Sequence, residues 1–214
     1  GFEPVLLPVD ASGLLDLNVL ARQLDERTAV LAVMLVNNEI GVIQPVETLA
    51  GLAHEYGALF LCDAVQGYGR VDLPQSADMI ALSGHKIYGP KGVGALWLRT
   101  GLDLPPLIHG GGQEGGLRSG TLSPALCVGL GEAARLMTQR RIDDSSHVEA
   151  LWSLSRAVFD GWVLNGSASA RYHGNLNLRR DGLDAARLMS DCREVALSLG
   201  SACASGSGRP SHVL

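Results

Sequence analysis

Four short stretches carry the polar residues best placed to do chemistry. Ser83-Gly84-His85-Lys86 closes an apolar run with a hydroxyl, an imidazole and an amine around one glycine. A lysine there can form a Schiff base with an aldehyde cofactor, once partial desolvation makes its neutral form accessible. Ser83 and His85 can donate hydrogen bonds to a phosphate. The same lysine could equally be a surface residue in a turn. Asp63 ends a second apolar run, with Gln66 three residues on. A carboxylate so placed can keep a pyridine nitrogen protonated and make the ring an electron sink, and Gln66 can donate to a phenolic ring oxygen. Asp63 could also simply cap a turn. Asn37-Asn38-Glu39-Ile40-Gly41 follows a third apolar run. It is a tight polar turn, in which Asn38 could offer an amide to a ring and to a substrate carboxylate.

The fourth stretch, Gly200-Ser201-Ala202-Cys203-Ala204-Ser205-Gly206, sets one thiol among small residues that cannot bury it. Such a cysteine suits a nucleophile that must reach a substrate and carry something away. Cys62, Cys127 and Cys192 stand in apolar or helical contexts and read as small core residues. The four cysteines show no C-x-x-C pair, so neither a metal site nor a disulfide framework is expected. Reduced thiols in a cytoplasmic protein are the simplest reading.

These residues must be delivered by regular elements. Pro4–Val9 reads as a strand and Leu17–Asp25 as a helix with Leu17, Leu20, Ala21 and Leu24 on one face. Ala29–Val36 is a continuous apolar run, as in a strand buried on both faces. Pro45–Tyr56 is a helix opened by proline and stopped by Gly57. Ala58–Cys62, Met79–Ser83 and Gly94–Arg99 read as further strands. Alternation of this kind predicts an α/β fold with a mostly parallel sheet. Three strands then end in Asn38, in Asp63 with Gln66, and in Ser83 with His85 and Lys86. Ligands gather beyond the carboxyl ends of such strands.

The stretch 109–121 holds six glycines and reads as a long loop, which in a compact domain is commonly functional. Helices are predicted over Pro124–Arg140 and His147–Phe159. A strand, a helix and a strand follow over Asn175–Leu178, Asp184–Arg193 and Val195–Leu199. This last part reads as a smaller α+β unit, with the boundary near Arg140: residues 1–140 as a large cofactor domain and 141–214 as part of a small one.

At 214 residues, 46% hydrophobic and 18% charged, with net charge −5, the composition is that of a soluble globular protein. Its 17 basic residues are scattered, which argues against a nucleic-acid partner. No apolar run is long enough to cross a bilayer. No signal peptide is visible. The first residue is Gly1 and the text opens in a strand-like segment, so a longer parent protein is expected.

The segments VNNEIGVIQP, DAVQGYGR, SGHKIYGPKGVGALWLR, GGGQEGGLRSGT and SLGSACASG, with the closing PSHVL, resemble in order and spacing the cysteine desulfurases. These are NifS- and IscS-like members of the class V aminotransferase-like, fold-type I pyridoxal-phosphate enzymes. The resemblance runs from Gly1 to Leu214. It implies pyridoxal 5'-phosphate as cofactor, a seven-stranded-type sheet present here in part, and conversion of L-cysteine to L-alanine. Lys86 would hold the cofactor and move the Cα proton. Asp63 would pair with the pyridine nitrogen, Gln66 with the ring hydroxyl oxygen, and Ser83 and His85 with the phosphate. Asn38 would lie near the ring and the substrate carboxylate. Thr121 would reach the phosphate of a partner's cofactor in a homodimer. Cys203 would take the sulfur as a persulfide and pass it to an acceptor protein, for iron–sulfur cluster or thio-cofactor assembly.

The chain also departs from the family. Members are nearly twice as long, and two of their features have no counterpart here: a histidine stacked on the ring and an arginine that clamps the substrate carboxylate. Gly115 stands where a larger side chain is usual, and Leu35 where many members have histidine. Residues 1–214 alone are therefore expected to be inactive. Two other readings remain open at this stage. One is a related class V enzyme, such as a selenocysteine lyase or an aminotransferase; the other is a non-catalytic truncated partner subunit.

Overall fold

The computed structural model describes residues 1–200, 211, 213 and 214. In chain order its elements are α1 (Leu17–Gln23), β1 (Val30–Met34), α2 (Val46–Glu55), β2 (Leu59–Asp63), β3 (Met79–Ser83), β4 (Gly94–Leu98), α3 (Pro124–Val158), β5 (Val163–Leu164), β6 (Leu178–Arg179) and α4 (Ala185–Asp191). They fall into two compact units. One, the sheet unit, comprises Leu24–Leu35 and Pro45–Ile142. The other, the interleaved unit, gathers Gly1–Gln23, Val36–Gln44 and Asp143–Leu214.

The sheet unit is built on a four-stranded sheet in the order β1-β2-β3-β4. The first three strands are parallel, and β4 runs antiparallel to β3. Strand β4 must reverse, because ten residues separate β3 from β4 and a parallel crossover needs a dozen or more. Side chains alternate across the sheet. On one face Leu31, Val33, Phe60, Cys62 and Ile80 are all buried. Helix α2 packs there on β1 and β2, and it buries Val46, Leu49, Ala50 and Ala53, the i, i+3, i+4, i+7 stripe of an amphipathic helix. Fully burying Phe60 alone contributes about 2–3 kcal/mol. The opposite face is less covered: Val30 and Leu96 are exposed there.

At the amino-terminal end of β3, Asp78 is fully buried. Its Oδ2 accepts the Phe60 N–H at 2.7 Å and lies 2.8 Å from His54 Nε2, while Arg99 Nη2 lies 2.7 Å from Oδ1. Burial pushes this carboxyl up. The Phe60 N–H, then His54 and Arg99, outweigh burial and hold it below the usual carboxylate range. The Asp78 N–H also donates to the Phe60 carbonyl at 3.1 Å. Asp78 thus fixes the pairing of β2 and β3 through both main chain and side chain.

Several elements differ from the sequence expectation. Pro4–Val9 forms no strand; only Val9 makes an isolated bridge, to Leu15. Pro4 and Pro8 lack the N–H that a ladder requires. The two helices predicted after the glycine-rich loop are one helix, α3, of 35 residues. Asp143, Asp144, Ser145 and Ser146 resemble a cap, but no glycine or proline breaks the chain there. Val195–Leu199 contains no strand, and α4 is shorter than predicted, opening at Asp184, whose side chain accepts the Arg187 N–H. Among the described residues no helix is long and apolar enough to cross a membrane.

Candidate active site

Strands β2 and β3 end side by side. Asp63 is the register partner of Ala81, and Ser83 lies two residues beyond Ala81 on the same face. Adjacent strands lie about 4.8 Å apart, so Asp63 and the Ser83–Lys86 turn share one end of the sheet. Asp63 is half-buried, and its Oδ1 accepts the Val65 N–H at 2.9 Å, which starts the turn that carries Gln66. Among the described residues, Asp63 Oδ2 and the Gln66 side-chain amide have no hydrogen-bond partner.

Past Ser83 the chain makes a single 3₁₀ turn, Gly84–Ile87, which presents His85 and Lys86. Gly84 is required at its start. A Cβ there would lie 3.0 Å from the carbonyl oxygens of both Pro90 and Val93, and the Gly84 N–H donates to that Val93 oxygen. Ile87 is buried against Ala133 and Met137 of α3, with Tyr68 and Leu130 packed around it. The lysine turn is therefore anchored by its neighbour's side chain rather than by its own. Ser83 Oγ and His85 Nδ1 are 2.9 Å apart, and His85 Nε2, on an exposed ring, has no partner among the described residues. Lys86 is half-buried, and its ammonium has neither hydrogen bond nor ion pair among the described residues.

Half-buried polar groups without protein partners are hydrated and remain available to a ligand. Here an acid oxygen, an amide and an amine stand without partners among the described residues at one end of two neighbouring strands. The set can hold a cationic ring nitrogen, a ring oxygen and an aldehyde carbon, and Ser83 with His85 can meet an anion.

Asn38 belongs to the interleaved unit. Asn37 Oδ1 accepts the Glu39 and Ile40 N–H groups, and Gly41 (φ +70°) closes the turn. The Asn38 side chain has no partner among the described residues, and its carbonyl accepts Asn175 Nδ2 at 3.3 Å. Thr121 is exposed at the end of the glycine-rich loop. Cys203 lies outside the described residues. Of the other cysteines only Cys62 is a core residue, with its thiol pushed up to about 12, chiefly by burial. Cys127 and Cys192 are half-buried, against expectation. Cys127 sits in α3, and Cys192 sits just past the end of α4.

Two arginines went unnoticed in the sequence. Arg70 donates to the carbonyl oxygens of Lys86 and Gln66. Arg171, 5% exposed, donates to the carbonyls of Ile40, Asn165, Ser167 and Asn175, and so ties the Asn38 turn to segment 165–175. Burial, and then the nearby Arg156, lower its guanidinium to about 10. Arg70 closes the segment DAVQGYGR but no role was read for it there, and no motif signals Arg171; the partners named for both are main-chain oxygens.

Comparison with known proteins settles the family. The model for aminotransferase class-V matches residues 1–214. The chain belongs to the class V aminotransferase family. It is 41% identical over 223 residues to a cysteine desulfurase IscS of Rickettsia bellii, covering all of this chain and 54% of that one. A solved NifS-like protein superposes with a TM-score of 0.83 at 32% identity, over 91% of this chain and 55% of that one. A structure described as SspA in complex with cysteine gives a TM-score of 0.80 at 33% identity, over 98% and 60%. The chain thus spans about half the length of the curated relatives it matches. Its mostly parallel sheet and helices are part of the α/β fold of NifS-like, fold-type I class V proteins.

Proposed function

We propose that this class V chain is part of a pyridoxal-phosphate-dependent cysteine desulfurase, which releases L-alanine from L-cysteine and keeps the sulfur as a persulfide on Cys203. The observation that carries the reading is the set of groups without partners among the described residues, Asp63 Oδ2, the Gln66 amide and the Lys86 amine, at the ends of β2 and β3. Its chemistry fits pyridoxal 5'-phosphate: an anion for the ring nitrogen, an amide donor for the ring oxygen, an amine for the aldehyde, and a hydroxyl with an imidazole for the phosphate. The names of the relatives, and the cysteine bound in one similar structure, point the same way.

When bound, the cofactor supplies an electron sink for the carbanion left as the substrate Cα proton departs. Asp63 keeps the ring nitrogen protonated, and Gln66 orients the ring. Ser83 and His85 hold the phosphate, and Thr121 serves the phosphate of a partner's site in a homodimer. Asn38 binds the substrate carboxylate. The Lys86 amine takes the Cα proton and returns one. The Cys203 thiolate attacks the substrate sulfur: an S–S bond forms, the Cβ–S bond breaks with its electron pair left on the carbon skeleton, and protonation of Cβ gives the methyl group of L-alanine, while the sulfur passes to an acceptor protein that serves cluster or thio-cofactor assembly.

The test uses the full-length protein with pyridoxal phosphate and L-cysteine. Lys86→Ala should abolish the absorbance of lysine-bound cofactor. Cys203→Ser should keep that absorbance and lose alanine and sulfide release. Full activity in Cys203→Ala would overturn the reading in favour of another class V activity.

A further inference from the structure

The main chain at Lys86 is held to the neighbouring turn by Arg70, the last residue of the segment DAVQGYGR, for which no role is read from the sequence. Arg70 Nη2 donates to the Lys86 carbonyl oxygen at 2.7 Å, and Nη1 reaches the Gln66 carbonyl oxygen at 3.5 Å. The residue is half-buried. The backbone that launches it is itself fixed. Its N–H donates to the Gly67 carbonyl at 3.0 Å, and Gly69 before it has φ +76°. A Cβ on Gly69 would come within 2.7 Å of Met137 Cε, so the turn lies close on α3.

A guanidinium is a rigid fork that stays charged at every working pH. Its hydrogen bonds to carbonyl oxygens are charge-assisted and stronger than neutral ones. Arg70 therefore links the peptide at Lys86 to the peptide at Gln66, across the gap between the ends of β3 and β2. Without it, the 3₁₀ turn would rely on the packing of Ile87 against α3.

We propose that Arg70 is a positioning residue, which fixes the Lys86 amine relative to Asp63 and Gln66 by bridging the carbonyl oxygens of Lys86 and Gln66. The proposal rests on the reading of Lys86 as the cofactor-binding amine. In this role Arg70 acts on the amine through the main chain.

The experiment compares full-length parent, Arg70→Met, Arg70→Lys and Lys86→Ala. Two quantities are read apart from turnover: the Kd for added pyridoxal phosphate, and the pH midpoint of the absorbance of lysine-bound cofactor. Arg70→Met should weaken cofactor binding about tenfold, the low end of the worth of a charge-assisted bond. It should also move the pH midpoint by about half a unit, because the amine's surroundings change. Arg70→Lys keeps the charge and a donor for the Lys86 carbonyl but not the fork that spans both oxygens, so it should recover each quantity only in part, falling between Arg70→Met and the parent. A purely structural arginine would lower Tm and leave the pH midpoint unmoved. Folded Arg70→Met with both quantities at parent values overturns the proposal. Should Arg70→Met not fold, Arg70→Gln, whose amide cannot bridge both carbonyls, is read against the same thresholds. Lys86→Ala separates the two claims: loss of the lysine-bound absorbance there, with Arg70→Met inert, sinks the Arg70 proposal alone. Its persistence in Lys86→Ala sinks both.

Discussion

Replacing Asp78 by alanine tests what sets the register of the two strands that end in the candidate site. Phe60 is fully buried, so its N–H would lose its 2.7 Å acceptor with no water at hand. A stranded buried donor costs about 1–3 kcal/mol. The two ionic partners are a different matter. The side chains of His54 and Arg99 are 38% and 55% exposed, so water screens them and each pair contributes about 0.5–1 kcal/mol. The total is about 3 kcal/mol, which in a chain of this size lowers Tm by about 6–12 °C. Asp78→Asn keeps an oxygen for the Phe60 N–H, loses the ionic part and turns its NH2 toward the exposed Arg99, so its Tm should fall by about 2–8 °C, less than that of Asp78→Ala.

A pH series sharpens the test. The Asp78 carboxyl is held below its unfolded value of 3.8. Between the two values the unfolded chain binds more protons than the native one, so stability rises with pH there. The contribution is present above the unfolded value and is lost as pH falls through the folded one. The parent should therefore shed stability below about pH 4, and Asp78→Asn should show a shallower loss over the same window. Thermal melts followed by circular dichroism read both quantities. Asp78→Ala melting within 2 °C of the parent, or Asn melting as low as Ala, would refute the argument.

Two further outcomes follow from burial and close approach. Gly84→Ala places a methyl group 3.0 Å from two carbonyl oxygens, and overpacking of this kind costs about 1–3 kcal/mol. Its Tm should fall and its affinity for added pyridoxal phosphate with it, whereas an unchanged melt would show that the turn has room. Cys62, buried and with its thiol pushed up to about 12, should resist iodoacetamide at about pH 8 in the native protein and react once unfolded. Peptide mapping that finds Cys62 alkylated as fast in the native state would contradict that burial.

The strands that carry the site were legible as unbroken apolar runs, although the expected burial on both faces does not hold: in β1 Leu31 and Val33 are buried while Val30 and Ala32 are exposed. Ala29–Val36, Ala58–Cys62 and Met79–Ser83 each overlap an observed strand. Helix α2 was legible from Pro45 and Gly57, which punctuate it. Less could be read where the signal was local but the outcome was not. The Asp143–Ser146 cluster carries the residue types of a cap, yet α3 runs through it. The apolar run Pro4–Val9 has strand-like residues, but its two prolines withhold donors. Asp78 was invisible for another reason: its partners, Phe60, His54 and Arg99, lie 18, 24 and 21 residues away. A single aspartate before an apolar run gives no hint of them.

Arg70 and Arg171 show why the residues that shape a site are harder to read than those that would react in it. A reactive group is identified by its own chemistry, so Lys86, Asp63 and Asn38 stand out by type and place. A guanidinium that donates to carbonyl oxygens pairs with groups every residue possesses, and nothing in the sequence of its partners records the bond. Yet in each unit it is such a bond that holds a turn: Arg70 on the carbonyls of Gln66 and Lys86, and Arg171 on that of Ile40, beside Asn38. The cost of burying Arg171 is visible in its lowered guanidinium, and four carbonyl acceptors offset it. A lysine in its place would bring one compact ammonium to a set of oxygens spread around a planar fork. What such an arginine contributes is turn geometry, and turn geometry decides whether an amine or an amide faces a ligand or faces water.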